Sequence, residues 1–131
     1  MKLNYDCLRQ ILLTIEEDLV WEDDLNYCRL NLKHMVQKLS KFSKADIAYT
    51  SKIAIEANLI EGCLNDCDCG ILDISYFGLT YEGHQFIDTV RENKIWKKTK
   101  EILSSVGGAS LSVITSVAND CLTNFISKRL S

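Results

Sequence analysis

The sequence predicts a mainly α fold with a small β-hairpin, arranged as a winged helix-turn-helix core plus a C-terminal amphipathic helix. Three observations carry this. Ser43 stands three residues before Asp46, a capping-box-like start in which hydroxyl and carboxylate satisfy orphan N–H groups of the first turn, and Ile47, Thr50, Ala54 and Ala57 then recur at helical spacing. Past Gly62 the period changes to two, with Leu72, Ile74 and Tyr76 on one side of an extended segment and Asp73 and Ser75 on the other. The string Leu79-Thr80-Tyr81-Glu82-Gly83-His84 then opens another helix. A helix feeding a small hairpin points to a nucleic-acid-reading or partner-binding module rather than to an active site.

The elements follow in order. Asn4 caps a first helix in which Leu8, Ile11, Leu12 and Ile15 obey the i, i+3, i+4, i+7 rule. Glu16, Glu17 and Asp18 sit badly against the negative end of its dipole and mark its termination. Trp21 to Tyr27 reads as a polar, acidic connection. Asn31 to Phe42 places Leu32, Met35, Val36 and Leu39 at helical spacing, although Leu32 to His34 also suits the short first strand that winged helices often carry. The third helix runs from Ser43 to about Ile60, the wing occupies residues near 60–78, and Tyr81 to Arg91 turns Phe86, Ile87 and Val90 inward.

Ile95 to Leu103 continues or restarts that helix, and Gly107-Gly108 breaks it. Beyond the break, Leu111, Ile114, Ala118, Cys121, Leu122 and Phe125 keep a three-four spacing. So wide an apolar stripe needs cover, from its own domain or from the same helix of a second chain. We expect a homodimer through Leu111, Ile114, Ala118, Leu122 and Phe125, with a winged-helix domain over 1–92 and a helical extension over 93–131.

Composition narrows the class. At 131 residues and 47% hydrophobic, the chain buries a core without needing disulfide staples. The first 28 residues hold no basic stretch followed by an apolar one, and no run approaches a membrane span, so we expect a cytoplasmic protein. The six cysteines then read as small hydrophobes. Cys63, Cys67 and Cys69, with His84 or His34, supply the donor types of a zinc site, but such sites usually pair two C-x2-4-C units, and alternation explains this cluster without metal. We expect no metal and no cofactor. Cys7, Cys28 and Cys121 sit beside apolar helical positions and look like core.

The net charge of −3 hides segregation. Residues 1–27 carry two bases and seven acids, a balance of −5. Residues 29–52 carry Arg29, Lys33, Lys38, Lys41, Lys44 and Lys52 against Asp46, a balance of +5. Residues 53–90 hold seven acids and no Lys or Arg, and residues 91–100 return to +4. A basic patch on the second and third helices is consistent with this, a basic wing is excluded, and mutually neutralising solvated faces are the plain alternative.

Neither histidine has a Ser or Cys partner at catalytic spacing, and there is no Gly-rich phosphate loop, HExxH or GxSxG, so we expect no enzyme. With Ile47, Thr50, Ala54 and Ala57 inward, the third helix turns Lys44, Ala45, Ala48, Ser51, Lys52 and Ile55 outward. Lys41, Lys44, Ser51 and Lys52 are candidate DNA contacts. Ala48 and Ile55 suit a protein partner equally well.

The opening Met1 to Arg9, the segment Asp46 to Thr50, the string Leu79 to Asp88 and Arg91 to Lys100 together resemble the small bacterial and phage proteins of domain-of-unknown-function family 2513. The likeness covers nearly the whole chain. It implies a prophage or mobile-element setting and a winged helix-turn-helix core, with no activity or catalytic residues to carry over. Where many winged helices read alanine-glycine-leucine, this chain has Ala57-Asn58-Leu59, and Asn also tolerates the left-handed conformation needed there. Two functions follow: a non-enzymatic DNA-binding protein, such as a phage or prophage regulator, or a protein-interaction module, such as a phage-encoded inhibitor of a host defence or transcription protein.

Overall fold

The computed structural model describes residues 1–106 and 110–130. Its element order is α1 (Tyr5–Asp18), β1 (Leu30–Asn31), α2 (Leu32–Lys38), α3 (Lys44–Glu56), β2 (Ile60–Cys67), β3 (Gly70–Leu79), α4 (Tyr81–Val90), α5 (Asn93–Ser104) and α6 (Leu111–Leu130). The chain is thus mainly helical with a small antiparallel sheet, and it divides into two compact units, Met1–His84 and Gln85–Ser131.

In the first unit the capping chemistry sets the helix boundaries. Asn4 accepts from the Cys7 N–H, Asn31 from that of His34, and Ser43 from that of Asp46, each satisfying an otherwise orphan donor. The Asn31 cap also decides between strand and helix for Leu32 to His34: they form the first turn of α2, and the first strand is Leu30–Asn31 just before it. That strand pairs with β3, Leu30 opposite Tyr76, so the sheet has three strands in the order β1-β3-β2 instead of a bare hairpin. The second helix ends at Lys38, short of the expected Phe42.

The third helix stops at Glu56, four residues before Ile60. Asn58 takes φ 60, and the Leu59 N–H bonds back to the Ala54 carbonyl, closing a left-handed helix end. Thr80 ties the next helix to this cap: its hydroxyl donates to the Asn58 carbonyl and accepts from the Gly83 N–H at 3.0 Å. A β-carbon on Gly83 would lie 2.0 Å from the Leu59 carbonyl oxygen, so the Leu-Thr-x-x-Gly string is the sequence of a backbone crossing that admits no side chain.

Helices α1, α2 and α3 pack together, and α1 and α3 also lie against the sheet. Leu8, Ile11, Leu12, Met35, Ile47 and Ile74 are at most 1% exposed. Ile74 and Tyr76 point inward as expected, but Leu72 is 66% exposed because it lies at the start of β3, close to the β2–β3 turn. Cys28, expected in the core, is only half-buried; it belongs to the connection preceding β1.

In the second unit, α5 restarts after a break at Arg91-Glu92, and α6 packs on α5. Ile114, Ala118 and Cys121 are buried, while Leu111, Leu122 and Phe125 are half-buried. Thr89 donates to Asn119 Oδ1 at 3.2 Å, fastening α6 to the end of α4. Ile114 and Ala118, expected at a two-fold interface, are therefore already used inside the chain. The expected break at Gly107-Gly108 lies outside the described residues. Among the described residues no helix is long and apolar enough to cross a membrane.

Candidate functional site

The third helix buries Ile47, Thr50 and Ala54 as its spacing predicts, but exchanges Ala57, which is exposed, for Ser51. Ser51, a candidate DNA contact, is wholly buried: its Oγ lies 2.7 Å from the Ile47 carbonyl oxygen and 2.7 Å from the Tyr76 hydroxyl. It fastens α3 to β3 and is not available to a phosphate. Burial, opposed by the Ser51 hydrogen bond, pushes the Tyr76 phenol up to about 12.

Next to it, Thr50 Oγ1 is buried without a conventional hydrogen-bond partner. The nearby Cys7 thiol is pushed up to about 11 by burial, against a smaller downward pull from Thr50. We regard the Thr50–Cys7 approach as a weak polar contact because sulfur is a poor hydrogen-bonding atom.

The basic residues of 29–52 divide into two groups. Arg29 reaches Ser75 Oγ at 2.6 Å and lies 4.0 Å from Asp73; Lys38 pairs with Asp18 at 3.4 Å; Lys52 pairs with Glu56 at 3.1 Å, one helical turn away. Asp18 also meets His34 Nε2 at 2.8 Å, and these partners, His34 foremost, hold its carboxyl below the usual range. Lys33, Lys41 and Lys44 are exposed, and Lys41 and Lys44 flank the start of α3, where the backbone N–H groups add partial positive charge.

Lys33 and Lys44 line one groove of about 420 Å³, with Leu32, Val36, Leu72 and Asp73. The Lys41 ammonium stands 5.1 Å from the centroid of the Phe42 ring. Lys33 and Leu72 were missed as site residues by sequence reasoning. The first was visible only as one charge among six, and the second reads as core until its place beside the β2–β3 turn is seen.

Ala48 and Ile55 are half-buried. Ile55 is partly committed to the sheet: a β-carbon at Gly62 would lie 3.3 Å from its Cδ1. Cys63 on β2 and Cys67 and Cys69 at the β2–β3 turn are free and exposed. Cys63 and Cys67 do lie on the strand β2, but the half-buried cysteine face expected there does not form: all three cysteines are exposed, and a bulge at Asn65/Asp66 interrupts the alternation between Cys63 and Cys67. Among the described residues, no group of three or more His, Cys, Asp and Glu side chains is placed to hold a metal ion.

A family model described as "Hypothetical protein (DUF2513)" matches residues 2–110, a stretch containing every element but α6. A Haemophilus influenzae protein described as an uncharacterized protein is 24% identical over 127 residues, spanning 96% of this chain and 99% of that one. No solved structure matches. With four-fifths of its length under the family model, the chain belongs to the DUF2513 family.

Proposed function

We propose that this chain is a winged-helix DNA-binding protein, acting in the phage or prophage regulatory setting that its family resemblance implies. What supports the scaffold is the order α1-β1-α2-α3-β2-β3 with sheet order β1-β3-β2, in which α3 follows a short turn after α2 and β2-β3 form the wing. The observation that carries the DNA reading is that exposed Lys41 and Lys44 flank the N-terminal end of α3 and that Lys33 of α2 lines a groove with Lys44. Recognition helices address a major groove with that end. Lys52 contributes less, because Glu56 already neutralises it. Each phosphate contact steepens the dependence of log affinity on log salt by about 0.9. Lys41→Ala with Lys44→Ala is therefore expected to weaken binding to duplex from the protein's own locus and to lower that slope by about two. Absence of salt-dependent binding by the wild-type chain refutes the reading.

One observation favours a protein-interaction module instead. The wing holds Asp66, Asp68 and Asp73, carries no Lys or Arg, and exposes Leu72, a surface suited to a protein and unsuited to phosphates. Under that reading Leu72, Ala48 and Ile55 are the positions to mutate. Ile114 and Ala118 are interior, so of the face expected to dimerise only Leu111, Leu122 and Phe125 remain partly exposed.

A further inference from the structure

The second unit carries a groove that the DNA reading does not use. Helices α5 and α6 pack as a pair and leave between them a groove of about 510 Å³. Ile95, Ile102, Val117 and Phe125 are among its apolar lining, and Lys94, Lys98 and Lys128 also line it, against a single carboxylate, Asp120. The charge is a property of the whole of α5, where Lys94, Lys97, Lys98 and Lys100 oppose only Glu101, a balance of +3. Ile102 remains 42% exposed there.

We infer that this groove binds an acidic amphipathic helix of a partner protein, its apolar stripe on the groove floor and its carboxylates on Lys94 and Lys98. A pair of packed helices offers a third helix a ready channel between its ridges. The lining runs from Lys94 to Ile102 on α5 and from Val117 to Lys128 on α6, about 12 and 16 Å of helix at 1.5 Å per residue. The occupant is thus about three turns long. Charge selects against a second copy of the same groove, which would bring lysines against lysines. It selects equally against a basic helix.

The test uses the full chain and two fluorescent, side-chain-stapled helical peptides of about 11 residues. Both carry Leu at i, i+4 and i+7; one has Glu at the flanking positions and the other Lys. Anisotropy is expected to show saturable binding of the Glu peptide, about tenfold tighter than the Lys peptide and weakened by salt. Lys98→Glu is expected to abolish that preference, whereas Lys97→Glu, the same charge change on a neighbour that does not line the groove, leaves it intact. Circular dichroism of both variants checks that the helices persist. Equal binding of the two peptides, no saturable binding of the Glu peptide, or equal effects of the two substitutions overturns the inference. So does a molecular mass by light scattering of twice 14.9 kDa that falls to one chain on Phe125→Asp, since the groove is then filled by a second copy.

Discussion

Replacing Ser51 tests whether α3 is oriented as described. The Ser51 hydroxyl has one proton, and the Ile47 carbonyl can only accept, so Ser51 donates to Ile47 and accepts from Tyr76. Ser51→Ala leaves the Ile47 carbonyl within its helix but strands the Tyr76 hydroxyl in the core, at a cost of about 1–3 kcal/mol. Tyr76→Phe removes the buried donor itself and leaves the Ser51 proton satisfied, costing about 0.5–1.5 kcal/mol. The double variant has no stranded group, so its cost is expected to fall below the sum by about 1 kcal/mol. Urea unfolding measures all three, with a slope of roughly 1–3 kcal/mol per molar, so Ser51→Ala is expected to move the midpoint by about 1 M. The salt dependence of any DNA binding should not change. A stability-neutral Ser51→Ala, or strictly additive costs, refutes the inward Ser51; loss of salt slope in that variant returns it to the DNA surface.

Other outcomes follow from the same unit. Gly83→Ala is expected to cost at least about 1–3 kcal/mol, because its β-carbon meets the Leu59 backbone, whereas Gly78→Ala meets nothing nearer than Glu61 Oε2 at 3.9 Å and should be mild; thermal melts rank them. Thr50→Val removes a buried hydroxyl that lacks a conventional partner and should hold or raise the melting temperature, whereas Ile47→Ala should lower stability by about 2–5 kcal/mol. Asp18 has its carboxyl held below the ordinary 3.8, so its contribution is complete above that pH and is lost as pH falls through the lower folded value. Unfolding midpoints measured from pH 6 to pH 2 should show that loss in the wild type and not in Asp18→Asn.

How much of this was legible depends on whether a local rule decided the outcome. The caps at Asn4 and Ser43 and the stop after Asp18 were readable, because each is fixed by a few neighbouring residues, whereas the left-handed Asn58 was readable only by comparison with the alanine-glycine-leucine of winged helices, since spacing alone carries the helix on to about Ile60. Ser51 was not. Helical spacing gives a face only to within a residue, and the inward face of α3 is set by Tyr76, twenty-five positions away, whose hydroxyl requires a polar neighbour. Serine carries no hydropathy signal that separates a buried hydrogen-bonding role from an exposed one. Leu72 failed for the opposite reason: alternation names a side of the strand but not the point at which the strand leaves the core.

The charge pattern has the same limit, and it bears most directly on function. A balance of +5 over residues 29–52 looks like one patch in sequence, yet Arg29, Lys38 and Lys52 face acids from β3, α1 and α3 respectively. Exposed pairs of this kind contribute little to stability, typically below about 1 kcal/mol, so their main consequence is to cancel local potential. The positive field is left to Lys33, Lys41 and Lys44, near the helix end that already carries partial positive charge. Glu56→Gln, which releases Lys52, is therefore expected to raise the salt slope of DNA binding by up to about 0.9 without changing the fold. A slope unmoved by Glu56→Gln but lowered by Lys44→Ala assigns contact to the N-terminal end of α3 alone; a slope moved by neither leaves the protein-interaction reading.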